Sequence, residues 1–228
     1  MTRIVITVDL RSVFGPARDQ GPRPTCLAFA ASDTHAAVRT SWKALSCEYI
    51  FFHAQQRAGR GPSEGALLSS MLDALRHDGQ PEEKGWLYLS TTPVNAASWR
   101  PPRRVGPLFR RASATPSHTV DQVISELDLA RPIIVLTTLS RAFYSPTAEA
   151  VIDPAPGETP EPWRRHAVIA VGHGTVDERR AILVRNSWGT RWGAMGYGWL
   201  TEQFLGPRIF AAAVLTDDVN VSGGTAAT

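Results

Sequence analysis

Apolar residues recur along this chain with two different periods, and the change falls near its middle. In the first half the spacing is helical. Leu27, Ala31, Val38 and Trp42 are set for one face of a helix behind Pro24-Thr25, with Thr25 as the expected N-cap. A second helix is expected after Ser46, through Tyr49-Ile50-Phe51-Phe52. A third runs through Leu67, Leu68, Met71, Leu72 and Leu75 and is stopped by Gly79. Residues 91–116 lose the period and are rich in Pro, Arg, Ser and Ala, so they read as a connector. Five arginines crowd it (Arg100, Arg103, Arg104, Arg110, Arg111). They form a solvated loop or a docking site for something acidic, and a charge cluster alone favours the loop.

The second half reads as strands. A short helix around Val120, Val123, Ile124 and Leu127 ends before Arg131-Pro132. Then come Ile133–Leu136, His166–Val171, Ala181–Val184 and Phe210–Leu215, all apolar, β-branched runs bounded by Gly, Pro and charged turns. The alternating residues Ile4-Val5-Ile6-Thr7-Val8 predict an N-terminal strand that packs on this half. Residues 153–162, with four prolines, predict a long loop ahead of His166. Small and polar residues from Asp217 to Thr228 predict a flexible tail. There is no internal repeat.

Composition narrows the partners. Hydrophobic residues make up 43% of the 228, seven of them Trp, enough for a substantial core. A net charge of +3 is too small to point to nucleic acid or an anionic membrane. Of the 24 basic residues only Lys43 and Lys84 are lysines, a bias expected of a GC-rich bacterial genome. No apolar stretch resembles a secretory signal or approaches the ~18–20 residues that cross a bilayer. Two cysteines are few for a disulfide scaffold. The expectation is a soluble, cytoplasmic protein in a reducing compartment.

Three segments carry candidate chemistry. They are Gln20-Gly21-Pro22-Arg23-Pro24-Thr25-Cys26-Leu27-Ala28-Phe29-Ala30, His166-Ala167-Val168-Ile169-Ala170-Val171-Gly172, and Asn186-Ser187-Trp188-Gly189-Thr190-Arg191-Trp192-Gly193. A cysteine opening a helix sits beside the positive end of the helix dipole, which lowers a thiol from its ordinary ~8.5. His166 follows 140 residues after Cys26 and Asn186 160 after it, close to the ~130–150 spacing known for one class of cysteine nucleophiles.

Together these segments resemble the papain family of cysteine peptidases. Glu64-Gly65-Ala66, in the place of a glycine-rich substrate loop, and Trp192-Gly193 followed by Gly196-Tyr197 extend the likeness over roughly residues 10–215. The resemblance implies an α+β fold of two lobes in a single domain over 1–216. A helical lobe would span about 11–116 and an antiparallel, β-barrel-like lobe about 117–216, with the active-site cleft between them and a tail at 217–228. It implies a peptide-bond hydrolase acting through an acyl-enzyme. Cys26 would be the nucleophile, His166 its base, Asn186 the residue orienting that base and Gln20 an oxyanion donor. Gly65 would receive substrate backbone, and Trp188 would stand at the substrate site covering the His–Asn contact. It implies a protein or peptide substrate and no cofactor. No Cys/His spacing suggests zinc.

Three departures qualify the likeness. The stretch Gly21-Pro22-Arg23-Pro24 lacks the cysteine with which secreted members form a disulfide. Leu27 stands where Trp is usual. Arg165 stands before His166 where plant members have an acid, so a lowered pH optimum is expected. Residues 1–15 are expected to be too short to fold into the inhibitory helical segment of secreted relatives. Restraint would then come from narrow specificity, a regulatory protein partner or a conformational gate. Two other readings remain open at this stage. One is an acyl transferase or amidase using the same thioester; the other is an idle fold used for binding. Cys47, His35 and His53 read as packing residues, as do Trp192, Tyr197 and Trp199, and Gly172-His173-Gly174 is too short for a phosphate loop.

Overall fold

Successive residues of a strand face opposite ways, and in this chain both faces are apolar. In the computed structural model, which describes residues 2–219, that pattern becomes one sheet buried on both sides. Its strands are β1 (Ile4–Asp9), β2 (Arg111–Ala114), β3 (Ile133–Leu139), β4 (Val151–Ile152), β5 (Glu161–Val176), β6 (Arg179–Arg185), β7 (Tyr197–Thr201) and β8 (Ile209–Asp218). The order is β2-β8-β3-β5-β6-β7-β4, with β1 pairing along β5. All pairs are antiparallel except β4 with β7. Ile134, Ala167, Ile169, Leu183 and Ala213 pack under the helices α1 (Cys26–Ala37), α2 (Cys47–Ala58) and α3 (Leu68–His77). Their neighbours Ile133, Val168, Ala170, Ile182 and Val214 pack on the other side. There they meet α4 (Val120–Asp128), the short turn α5 (Arg141–Tyr144) through Phe143, and α6 (Glu202–Leu205).

The α+β class holds, but the sheet does not close into a barrel. With helices covering both faces, its apolar surface is already buried, and no closure is needed to hide it. The connector at 91–116 also contains a strand that its composition concealed. β2 exists because β8 pairs with it, and Arg111 reaches Asp218 at 2.8 Å. That pairing carries β8 through the first two residues of the expected tail, Asp217 and Asp218; residues 220–228 lie outside the described part. β5 begins at Glu161, so the proline-rich loop is shorter than expected.

α2 follows the sequence closely: Ser46 caps it by accepting from Tyr49 N at 3.1 Å. α1 differs from the expectation in two ways. It ends at Ala37, leaving Trp42 outside, and it is buried on every side after Cys26 rather than on one face. Its many alanines let α2, α3 and β5 approach closely. Thr25 stands at the N-cap position but makes no capping bond, because its hydroxyl meets the Tyr88 hydroxyl at 2.8 Å. Gly172 and Gly174 lie where β1 pairs with β5. A Cβ there would come within 2.4 Å of Val8 O and 2.1 Å of Val5 O, which explains the Gly-His-Gly sequence without any ligand.

Candidate active site

Cys26 is the first residue of α1, and the uncapped end of that helix leaves N–H groups beside its sulfur. His166 lies in β5, held in register by β3 opposite Thr137. Asn186 follows the last residue of β6. Ser187 N donates to Asn186 Oδ1 at 2.8 Å, which identifies that atom as the oxygen. His166 Nε2 lies 2.7 Å from the same oxygen, so Nε2 carries the proton and Nδ1 is left as the basic nitrogen. The bond is sealed from water. His166 and Asn186 are 5% and 2% exposed, the Trp188 ring lies 4.8 Å from the imidazole, and Phe143 meets both rings edge-on.

Burial pushes the Cys26 thiol up from its ordinary value, and backbone N–H groups of Ala167, Leu27 and Cys26 oppose that rise. Burial likewise pushes His166 down to about 4, against the hydrogen bond to Asn186. Each group singly prefers to be neutral. Moving one proton from sulfur to imidazole creates both charges together, each then stabilising the other, so such a pair titrates as a unit.

Gln20 is buried and held at four points. Its backbone N–H donates to Ser187 O at 2.8 Å, and its carbonyl accepts from the Tyr88 hydroxyl at 2.7 Å. Its side-chain Oε1 accepts from Ser187 Oγ at 2.7 Å, and Nε2 donates to Arg23 O at 2.7 Å. One amide proton is thereby used and one is left.

A cleft of about 380 Å³ brings Cys26, His166 and Ala167 together with Gly65 on the helical side. A Cβ on Gly65 would meet nothing within 4 Å, so no neighbour requires the glycine. Trp188 is not on the cleft wall but packs behind His166. Leu68, Leu136 and Phe210 form apolar walls that no motif announced. Arg165 also lines the cleft, its guanidinium 5.4 Å over the Phe210 ring. The causes acting on His166 are burial and Asn186, and Arg165 is not among them. The charge next to the histidine in sequence is thus turned toward the cleft. A hollow of about 490 Å³ between Arg39, Phe109 and Asp218 is lined by neither cysteine nor histidine.

Both cysteines are free, and Cys47 is wholly buried in the core, where burial raises its thiol far from its ordinary value. Among the described residues no group of three or more His, Cys, Asp or Glu could hold a metal ion, and no helix is long and apolar enough to cross a membrane.

A sequence model described as papain family cysteine protease matches residues 6–205. The chain belongs to the papain family. Among curated relatives, this papain-family chain is 26% identical over 190 residues to the oryzain gamma chain of Oryza sativa subsp. japonica, covering 81% of this chain and 51% of that one. It is 26% identical over 200 residues to peptidase 1 of Dermatophagoides farinae, covering 84% and 59%. The chain thus spans about half the length of the curated relatives it matches. Among solved structures, xylellain, a cysteine protease from Xylella fastidiosa, superposes with a TM-score of 0.78 at 22% identity, over 93% of this chain and 86% of that one. The Carica candamarcensis cysteine protease CMS1MS2, in complex with E-64, does so with a TM-score of 0.70 at 18% identity, over 93% and 98%. The papain-like fold is common to this chain and these two structures.

Proposed function

We propose that this chain is a cysteine-type peptidase that hydrolyses peptide bonds through an acyl-enzyme. The observation that carries the reading is the sealed His166 Nε2–Asn186 Oδ1 bond, which leaves Nδ1 as the base for Cys26. In the proposed sequence, Nδ1 takes the thiol proton and the sulfur attacks the carbonyl carbon. The tetrahedral oxyanion is met by the Cys26 backbone N–H and the remaining Gln20 amide N–H. His166 then passes its proton to the leaving amine, and a water activated by His166 releases the acid and restores the thiol. Asn186 holds the ring in one tautomer, the part that an aspartate plays in serine triads. Gly65, with open space above its Cα, is where substrate backbone would lie as an added strand. Trp188 keeps the His–Asn bond dry.

The test uses E-64, carried by the CMS1MS2 complex. Mass spectrometry should find its adduct on Cys26, absent in His166→Ala, and the untreated chain should cleave a denatured proteome. No adduct and no cleavage would favour an idle fold, and an acyl-amine product in place of free acid would favour a transferase. Gln20→Ala should lower kcat by about 10²–10³ with little change in KM, because the lost donor bonds only the developing oxyanion.

The cleft charge concerns substrate choice. Arg165→Asp should leave both limbs of the pH–rate profile within about half a unit, since an exposed, screened charge acts weakly on the buried ring. The same substitution should change the turnover ratio of paired acidic and basic peptides by about tenfold. A large displacement of the basic limb would return Arg165 to the role its sequence position suggests.

We further place the protein in the bacterial cytoplasm. Two free thiols, the arginine-for-lysine bias and the likeness to a Xylella protein support this. A regulatory protein partner is proposed as well.

A further inference from the structure

Three side chains outside the chemistry above converge on the turn that carries Gln20 into Cys26. Arg23 lies three residues before the nucleophile and is 1% exposed. Its NH1 and NH2 bond Glu48 Oε2 and Oε1 on α2 at 2.5 and 3.0 Å, and NH1 also donates to Leu89 O at 2.7 Å. The faces of Tyr88 and Phe51 lie 4.9 and 5.5 Å from the guanidinium. Glu48, wholly buried, accepts further bonds from Trp99 Nε1 at 2.6 Å and Leu89 N at 3.1 Å.

Stability alone gives no reason for such a pair. Apolar residues of the same volume hold a fold as well or better, since desolvating two charges offsets their attraction. A forked, two-bond pair does supply direction: it fixes the distance and the orientation of the main chain that bears it. At Arg23 that main chain presents its carbonyl to Gln20 Nε2. Tyr88 acts on the same turn from the other side. Its hydroxyl donates to Gln20 O at 2.7 Å and accepts from Thr25 Oγ1 at 2.8 Å. With Oε1 and one amide proton of Gln20 already engaged, the amide plane is set and the second proton has a single direction left.

We infer that Arg23, Glu48 and Tyr88 are positioning residues acting through Gln20: a buried ionic fork and a tyrosine hydroxyl that aim its free amide N–H at the oxyanion. The inference rests on the peptidase reading, since an oxyanion forms only if acyl transfer occurs. It goes beyond that reading in assigning the aim of the donor to α2 and to the loop bearing Tyr88, neither of which lines the cleft.

The experiment is a double-substitution cycle on the full chain with a fluorogenic peptide. Tyr88→Phe, which deletes one oxygen and keeps the ring, should lower kcat about tenfold with KM within about twofold. Glu48→Gln should lower it further. Alkylation of Cys26 by iodoacetamide, which forms no oxyanion, should keep its rate in Tyr88→Phe. In a Gln20→Ala background, Tyr88→Phe should change kcat by less than about twofold, because the donor it aims is gone. If Tyr88→Phe leaves kcat unchanged, or costs the same factor with and without Gln20, the inference is overturned. Should Glu48→Gln fail to fold, the Tyr88 cycle alone decides. An unsubstituted chain that turns over no peptide would instead remove the peptidase reading.

Discussion

Cys26→Ala should lower peptide turnover by a factor of about 10⁵ or more while leaving substrate affinity nearly intact. The proposed reaction splits one difficult hydrolysis into two steps through a sulfur–acyl bond, and no other group in the cleft can form that bond. The cleft walls, Leu68, Leu136 and Phe210, remain in place without the sulfur, so binding persists. Cys26→Ser should recover little of the loss, because a hydroxyl is far less acidic than a thiol and far less nucleophilic at neutral pH. Cys47 gives the control. It is wholly buried with its thiol pushed far up, so Cys47→Ala should keep turnover, and alkylating reagents should label Cys26 alone. Activity of Cys26→Ala within tenfold of the unsubstituted chain would end the nucleophile assignment.

The largest expected loss of stability lies at Asp33. This carboxylate on α1, 4% exposed, accepts from two arginines at once. Arg18 Nε reaches its Oδ1 at 2.8 Å, and Arg185 Nε and NH2 reach its Oδ2 at 2.9 and 2.8 Å. Arg185 is 1% exposed and directly precedes Asn186; its other N–H groups bond Gly15 O, Pro16 O and the Tyr197 hydroxyl. The Asp33–Arg185 pair therefore ties the helix that begins at Cys26 to the strand that ends before Asn186. Asp33→Asn leaves the buried Arg185 guanidinium without its counter-charge, while Arg18 keeps Glu83 at 3.2 Å, and should cost about 3–5 kcal/mol. For a domain of this size that lowers Tm by roughly 6–20 °C. Asp33→Leu combined with Arg185→Met should be less destabilising than the two single losses added, since no charge of that pair is then stranded. Thermal unfolding of the four proteins checks this. Additive losses would show that the pair is not coupled.

How much of this was legible beforehand differs from element to element. β5 and β8 were readable because both faces of the sheet are buried, which leaves unbroken apolar runs in the sequence. α2 was readable because its cap lies within three residues of its first turn. α1 was misread as one-faced: a helix buried all round has no polar side, and its charged residue Asp33 is satisfied by arginines 15 positions before it and 152 after it. β2 was invisible because its four residues carry no strand pattern, and it exists only by pairing with β8. At the site, Gln20, Cys26, His166 and Asn186 stood out as types at a spacing. Arg23, Glu48 and Tyr88 did not, since a charge or hydroxyl announces nothing until its partner is known. Ser187 lay inside a motif, yet its three bonds to the asparagine and glutamine had no local sign.

The sequence by itself determined the candidate reactive atoms and where the apolar surface must go. A thiol at a helix start, an imidazole, an amide and the alternation of buried strand residues are properties of residue type and local spacing. Tertiary structure alone decided which way those atoms point and what charge they bear. Orientation comes from bonds between segments far apart in the chain, and protonation comes from how much water the packed rings of Trp188 and Phe143 exclude. Neither has a local signature, because both depend on neighbours that only folding supplies.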